Sequence, residues 1–264
     1  MNPFSLEDKL IIVTGASSGI GRQCAIDCSK MGAIVVLIAR DEERLKETIA
    51  QMEYPERHCY YSIDLSDIDQ IRLLVDNIVS ANGKIDAYVH AAGIEKTLPL
   101  KFLSSDDYKS VFTVNALSAF EFIRCFSSRK NFNNGGRIVL ISSILSIVGR
   151  GGVSAYAASK GAMVSAVKAM ALELAPRKIC INCISPGTVR TPLMERFLSS
   201  LSKEDYEKRI SGFPLGVGEV TDISRTCLFL LSDASRWITG QNIVVDGGVF
   251  FSFADCFRNF CRFA

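Results

Sequence analysis

The chain has 264 residues, 48% of them hydrophobic and 22% charged, enough apolar material for one sizeable core and too much for a disordered tail or a fibre. Thirty Lys plus Arg against 28 Asp plus Glu leave a formal charge of +2, too balanced for the broad attraction that nucleic acid or anionic lipid demands. Residues Met1 to Leu10 lack a basic stretch followed by an apolar one, and the longest uncharged apolar run, Ile138 to Gly149, contains three serines and falls short of a membrane span; a cytoplasmic protein, bound to neither nucleic acid nor membrane, is expected.

In chain order, Ile11 to Thr14, Ile34 to Ala39, Cys59 to Ile63, Asp86 to His90, Arg137 to Ser142, Ile179 to Ile184 and Asn242 to Val245 are short apolar or β-branched runs bounded by Gly, Asp, Asn or Pro, and read as seven strands. Longer stretches with helical spacing separate them. Ile68, Ile71, Leu74, Val75, Ile78 and Val79 paint one apolar stripe, with Ser66 and Asp69 as the expected cap pair. Asp41 is placed to cap a helix running to Met52, a helix containing Asn115 begins near Ser104, and the Ala-dense stretch Ser154 to Ala175 is a further helix. Regular alternation of near-continuous apolar strands with helices requires a parallel sheet covered on both faces, an α/β doubly wound fold. No linker, composition break or repeat divides residues 1–264, so one domain is the simplest account.

Nine cysteines, an odd number without a leader segment, argue for reduced thiols. The one tight pair, Cys180 and Cys183, lies in an expected strand, where residues three apart point to opposite faces and cannot share a metal. No metal site is expected.

Thr14-Gly-Ala-Ser-Ser-Gly-Ile-Gly21 follows the first strand and opens a helix. At such a turn the missing side chains let main chain approach a pyrophosphate, and free N–H groups with the helix dipole hold the anion. Tyr156 and Lys160 are four apart on the Ala-dense helix, hence on one face, where an ammonium can stabilise a phenolate and lower a phenol's pKa toward a useful range. Ser143, thirteen positions before Tyr156, ends a strand at the edge where open α/β sheets bind ligands. Its neighbour Ser142 must face the other way.

The glycine spacing resembles that of the short-chain dehydrogenase/reductase family, and separated motifs over about residues 5–248 support the likeness: Asp64 after the third strand, Ala91-Ala-Gly93 after the fourth, Asn115, Ser143, Tyr156 and Lys160 in family order, Pro186-Gly187 with Thr191, and Thr239 to Gly248 near the end. The likeness is to NADP-preferring members such as 3-oxoacyl-[acyl-carrier-protein] reductases. It implies a single Rossmann-type domain, a catalytic set of Asn115, Ser143, Tyr156 and Lys160, and a dinucleotide held by Gly15, Ser17, Ser18, Gly19, Ile20, Gly21, Arg40, Asp64, Leu65, Ala91, Ala92, Gly93, Pro186, Gly187, Val189 and Thr191 together with Tyr156 and Lys160. Tyr156 would be the general acid in carbonyl reduction, Ser143 would hold the substrate oxygen, Lys160 would lower the phenol's pKa and bind the nicotinamide ribose, and Asn115 would anchor a water relaying protons to Lys160.

Arg40, where the second strand ends Leu37-Ile-Ala-Arg40, suits the 2′-phosphate of NADP, with Ala39 in the usual NAD-selecting acidic position; NAD stays open because Ser18 stands where many NADP-selective relatives carry a second base. His90 occupies the family's usual Asn position, either as a neutral structural residue or as a group whose protonation loosens the cofactor site. Residues 188–218 would form a substrate lid. With Ile94, Leu98, Ile144, Leu145, Val148, Leu193, Met194, Phe197, Leu198 and Phe213 they would make a wall for an apolar or amphipathic carbonyl compound, possible 3-oxoacyl thioesters included, while Arg150 and Arg196 are either solvated or anion-binding. The Phe-rich tail, residues 249–264, is expected to pack in a homodimer or homotetramer. Two alternatives stay open: an NAD-dependent alcohol or sugar dehydrogenase, and a non-catalytic dinucleotide sensor on the same fold.

Overall fold

A computed structural model describes residues 2–199, 202–204, 207, 211 and 213–250. Seven parallel strands form one sheet in the order β3-β2-β1-β4-β5-β6-β7: β1 Leu10–Thr14, β2 Ile34–Ala39, β3 Cys59–Ser62, β4 Ile85–His90, β5 Phe132–Ile141, β6 Cys180–Pro186 and β7 Asn242–Val245. The helices between them are α1 Gly19–Lys30, α2 Glu42–Ile49, α3 Gln70–Asn82, α4 Ser105–Phe112, α5 Ser118–Phe126, α6 Ser154–Leu174, α7 Pro192–Ser199 and α8 Val220–Leu231.

Alternation along the strands builds a core on each face. On β1, Ile12 joins β2's Val36 and Ile38 beneath Ile71, Leu74, Val75 and Ile78 of α3, Phe122 and Phe126 of α5, and Met163 and Val167 of α6. Ile11 and Val13 point the other way, to Cys24, Ala25 and Cys28 of α1, Leu45 of α2, and Ile223, Cys227 and Leu230 of α8. This two-sided burial is why β1 and β2 tolerate no polar alternation. On β6, Ile181 and Cys183 enter the first core and Ile184 the second. Cys180 lies on the face opposite Cys183, with its thiol toward the Arg236 carbonyl at 3.7 Å; the two thiols do not meet, as their strand spacing requires.

Most strand ends fall within one or two residues of the sequence expectation, and four features depart from it further. β5 begins at Phe132 rather than Arg137, because Ile85 N–H bonds to the Asn131 carbonyl at 2.9 Å and the Phe132 ring stacks on Phe126 at 4.8 Å, with a register shift between Ile85 and Ala87 absorbing the intervening Asn and Gly residues. Ser66 and Asp69 do not cap α3: Ser66 donates its N–H to Asp64 Oδ1 at 2.9 Å, and Asp69 makes no side-chain cap bond. Asp41 does cap α2, accepting from Arg44 N–H at 3.1 Å, but the helix ends at Ile49 and Met52 lies in the turn beyond. The helix begun by the Ser104–Asp107 capping box is broken by a π-helical turn, Thr113–Leu117, which contains Asn115.

The segment 188–218 is not all loop, since it contains α7. Its two ends are joined by a Val189–Gly218 bridge and by Arg190 N–H to the Gly218 carbonyl at 2.8 Å. Leu193, Arg196 and Phe197 side chains, and tail residues 251–264 with all but one of the aromatic rings expected to pack there, lie outside the described residues. Among the described residues no helix is long and apolar enough to cross a membrane, and no group of His, Cys, Asp and Glu could hold a metal ion.

Candidate active site

The strand order reverses between β1 and β4, and the loops leaving their carboxyl ends diverge there to leave a cleft. It opens into a cavity of about 510 Å³. One end is floored by Gly15, Ser17, Ser18, Gly19, Ile20 and Gly21, bordered by Arg40, Asp64 and Leu65, with Ala91, Ala92 and Gly93 at its middle. Ser143, Tyr156, Lys160, Pro186, Gly187, Val189 and Thr191 complete the walls. Every residue expected to hold the dinucleotide or carry the catalysis lines this one cavity except Asn115; of the expected substrate wall only Ile94 and Met194 line it, Leu98, Ile144, Leu145, Val148, Leu198 and Phe213 do not, and the Leu193 and Phe197 side chains lie outside the described residues.

The glycines are demanded by close approach. Gly15 has φ +68°, and a Cβ there would meet the Ala91 carbonyl oxygen at 2.7 Å; one on Gly21 would stand 2.3 Å from the Gly15 oxygen. Ser18, which precedes α1, makes no side-chain cap bond, and the first turn of α1 contains no acidic residue. The open first-turn amides, the dipole behind them and the vacant glycine surface therefore fit a pyrophosphate. Arg22 steadies this turn from outside: its guanidinium donates to the Ser17 carbonyl at 2.6 Å and to Glu47 at 3.2 Å.

At the cavity's rim Arg40 stands 3.9 Å from Asp64, both well exposed. Arg44, which lines the same rim and pairs with Asp41 at 3.3 Å, was missed by the sequence reading. Its one signal was its place in the first turn of a helix whose cap was already assigned. Asp41, Ile63, Glu95, Val114, Ile141, Ser142 and Pro192 also line the cavity without having been expected there, which only loop geometry could have disclosed, whereas Ala39 lines it as the cofactor reading placed it and Ile94 and Met194 as the substrate-wall reading did. Ser142 adjoins the cavity, yet its hydroxyl is committed to the Lys160 carbonyl at 3.0 Å. Ser143 is the serine whose hydroxyl meets Tyr156, accepting also from Leu145 N–H at 3.2 Å.

Tyr156 and Lys160 rise from one face of α6. Burial pushes the Tyr156 phenol up to about 12, opposed by its hydrogen bond with Ser143. This corrects the expectation that the neighbouring ammonium pulls the phenol down. Lys160 Nζ sits 5.7 Å from the phenol's ring centroid and donates to the Ile141 carbonyl at 2.8 Å, so desolvation of the hydroxyl dominates. Burial likewise lowers the Lys160 ammonium to about 8.

Asn115 lies behind the cavity rather than in its wall. Its Oδ1 accepts from Ile94 N–H at 2.7 Å, and its Nδ2 donates to the Ile94 carbonyl at 2.9 Å and to Ser159 Oγ at 3.0 Å. This clamp fixes the loop after β4 against the turn of α6 that separates Tyr156 from Lys160. The side chain expected to anchor a water is thus spent on main chain and Ser159. His90 is fully buried; its Nδ1 faces Tyr88 Oη at 2.8 Å and Thr14 Oγ1 at 3.1 Å, and Thr14 Oγ1 accepts in turn from Ala92 N–H at 3.3 Å. Burial, with Lys160 nearby, lowers the imidazole to about 3. Burial therefore favours the neutral form of His90, which tethers β1 to β4, in line with the structural reading of this residue.

A dinucleotide cradle at a strand-order switch point, with a serine, tyrosine and lysine converging on its floor, defines an oxidoreductase of the Rossmann type. The chain belongs to the short-chain dehydrogenase/reductase family: the family profile described as enoyl-(acyl carrier protein) reductase matches residues 15–250. It is 34% identical over 246 residues to a 3-oxoacyl-[acyl-carrier-protein] reductase of Thermotoga maritima, covering 92% of this chain and 98% of the relative. It is 33% identical over 245 residues to an NAD-dependent glycerol dehydrogenase of Listeria innocua, covering 93% and 95%. Among solved structures, a short-chain dehydrogenase/reductase from Serratia marcescens superposes with a TM-score of 0.85 at 27% identity, covering 94% of this chain and 99% of that one. The protein is an NAD(P)-dependent oxidoreductase acting on a small molecule.

Proposed function

We propose that the protein is an NADP-preferring reductase of apolar or amphipathic ketones, 3-oxoacyl thioesters among them, working through Ser143, Tyr156, Lys160 and Asn115. The observation that carries this reading is the convergence of Ser143, Tyr156 and Lys160 on one wall of a cavity whose other end is the glycine cradle. The reduced form, NADPH, would be held by Gly15 and residues 17–21 at the pyrophosphate, Asp64 and Leu65 at the adenine, and Lys160 at the nicotinamide ribose, and would supply the hydride.

The chain's own residues manage the oxygen. The Ser143 and Tyr156 hydroxyls, which line the same wall of the cavity, offer a paired site for a carbonyl oxygen. A phenol held near 12 is fully protonated at neutral pH, and it surrenders its proton readily only to an oxygen becoming an alkoxide. In reduction Tyr156 is then the acid, and by microscopic reversibility the same group would be the base in oxidation. Lys160 rises from the same helix face toward the nicotinamide ribose, and Asn115 positions the loop and helix turn that meet there.

The preference for NADP is supported by two guanidiniums, Arg40 and Arg44, at the rim where Ala39 supplies no carboxylate. The ketone preference is supported by the apolar contributions of Ile94 and Met194 to the opposite end. We further read residues 1–264 as one catalytic unit with a lid at about 188–218, working in the cytoplasm, where the seven described cysteines, all outside disulfides, would stay reduced. A homodimer or homotetramer is supported by Leu172 and Trp237, which are 78% and 89% exposed. Absorbance at the reduced-nicotinamide band, followed with matched ketones and acyl thioesters, tests the reading. A higher kcat/KM with NADPH than NADH is expected, reversed by Arg40→Glu. A wild-type preference for NADH would contradict it.

A further inference from the structure

The substrate end of the cleft carries a charge that the proposed chemistry does not use. Glu95 lines the cavity beside Tyr156, and Ile94, immediately before it, is clamped at both main-chain groups by Asn115, so the position of Glu95 is fixed. Its Oε1 accepts from Arg150 Nη2 at 2.7 Å and from Thr97 Oγ1 at 3.0 Å. Both bonds fall on Oε1, and neither engages Oε2. Arg150 belongs to the opposite wall, the loop joining Ser143 to α6, and is not itself among the residues lining the cavity. Beside the ion pair, Leu98 N–H bonds to the Gly152 carbonyl at 2.8 Å, where Gly152 takes φ +83°. The two walls are therefore joined at two points, with the carboxylate inside and the guanidinium behind it.

We propose that Glu95, held by Arg150, is a specificity-determining residue that presents a carboxylate oxygen to the substrate, so that the protein takes neutral carbonyl compounds bearing a hydroxyl or amide N–H donor and rejects those bearing a carboxylate. This rests on the carbonyl-reductase reading above. A substrate anion beside Glu95 meets a like charge whose nearest cation, Arg150, is already paired with it, and the buried Lys160 ammonium already gives one of its hydrogens to the Ile141 carbonyl. A neutral donor, such as the amides of a pantetheine-like arm or a secondary hydroxyl, finds Oε2 as an acceptor. The opposite effects of Glu95 and Arg150 on the Tyr156 phenol, the carboxylate raising its pKa and the guanidinium lowering it, place both charges within electrostatic reach of the reacting end.

The test uses matched 2-, 3- and 4-oxo acids and their methyl esters with wild type, Glu95→Gln and Arg150→Gln. Wild type is expected to favour esters by on the order of a hundredfold in kcat/KM. Glu95→Gln should shrink that ratio at least tenfold, chiefly through the KM of the acids, because Arg150 is released to receive them. Arg150→Gln should widen it, because the carboxylate loses its counter-ion. Both variants break the same staple, so a purely structural role would move both ratios the same way, and a ratio between two substrates within one variant does not depend on how much protein folds. An ester-to-acid ratio unmoved in Glu95→Gln, or moved in the same direction by both variants, overturns the inference alone. Turnover of no pair by any variant overturns the carbonyl reading together with it.

Discussion

Gly93→Ala probes how tightly the proposed proton-transfer groups are held. A Cβ at Gly93 would lie 3.3 Å from Asn115 Oδ1 and 3.3 Å from Lys160 Nζ, closer than a methyl group ordinarily sits to either. Gly93 is not among the positive-φ glycines, so its backbone accepts alanine without torsional strain. Asn115 cannot give way without breaking its bonds to Ile94 and Ser159, which leaves the end of the lysine chain to move by a few tenths of an ångström. Because flexible side-chain atoms absorb the displacement, the expected stability loss is about 1 kcal/mol, at the low end for overpacking, and a fall in Tm of roughly 2–4 °C. Misplacement by 1 Å can cost a hundredfold in rate, so a few tenths should lower kcat about tenfold. Steady-state reduction at saturating dinucleotide, paired with a thermal melt, measures both. An unchanged kcat, or a change confined to Tm, would show that Lys160 is not held at a working position and would refute the reasoning.

Two further outcomes follow from buried titratable groups. Lys160 has a folded pKa of about 8 against about 10.5 when exposed, so keeping it charged below pH 8 costs roughly 3 kcal/mol. Lys160→Met should therefore raise Tm at pH 7 by a few degrees while abolishing turnover, the loss of the bond to Ile141 offsetting part of the gain; a lower Tm would contradict this. His90, with a folded pKa of about 3, binds fewer protons folded than unfolded between pH 6.5 and 3. Its contribution to stability is complete above pH 6.5 and is lost on acidification at about 1.4 kcal/mol per pH unit. His90→Asn should flatten the acid limb of a urea-midpoint titration by that slope, and dinucleotide affinity in wild type should be level from pH 8 to 5.5; an unchanged acid limb would sink the assignment.

The sheet was legible because burial on both faces makes strands such as β1 and β2 almost wholly apolar, with only Thr14 polar at the end of β1, and the glycine cradle because Gly15 and Gly21 sit where no side chain fits. Local reading failed where a distant partner decides. Phe132 joins β5 because Phe126 stacks on it, and Ser66 turns to Asp64 instead of capping α3. Asn115 lies in a π-helical turn whose purpose, gripping Ile94, involves a residue 21 positions away. The Tyr156–Lys160 spacing correctly brought both groups to one face of α6. It carried no information about desolvation, which reverses the expected direction of the phenol's pKa. Arg44 and Glu95 read as ordinary surface charges until the loops are folded beside the cleft.

The most direct measurement is the turnover of Tyr156→Phe with a ketone that the wild type reduces, alongside dinucleotide binding by fluorescence. Removing one hydroxyl oxygen should leave binding within a few-fold of wild type and lower kcat by about a thousandfold, within the range for loss of a positioned acid. Turnover retained within tenfold, with the dinucleotide bound normally, would contradict the role given to the phenol.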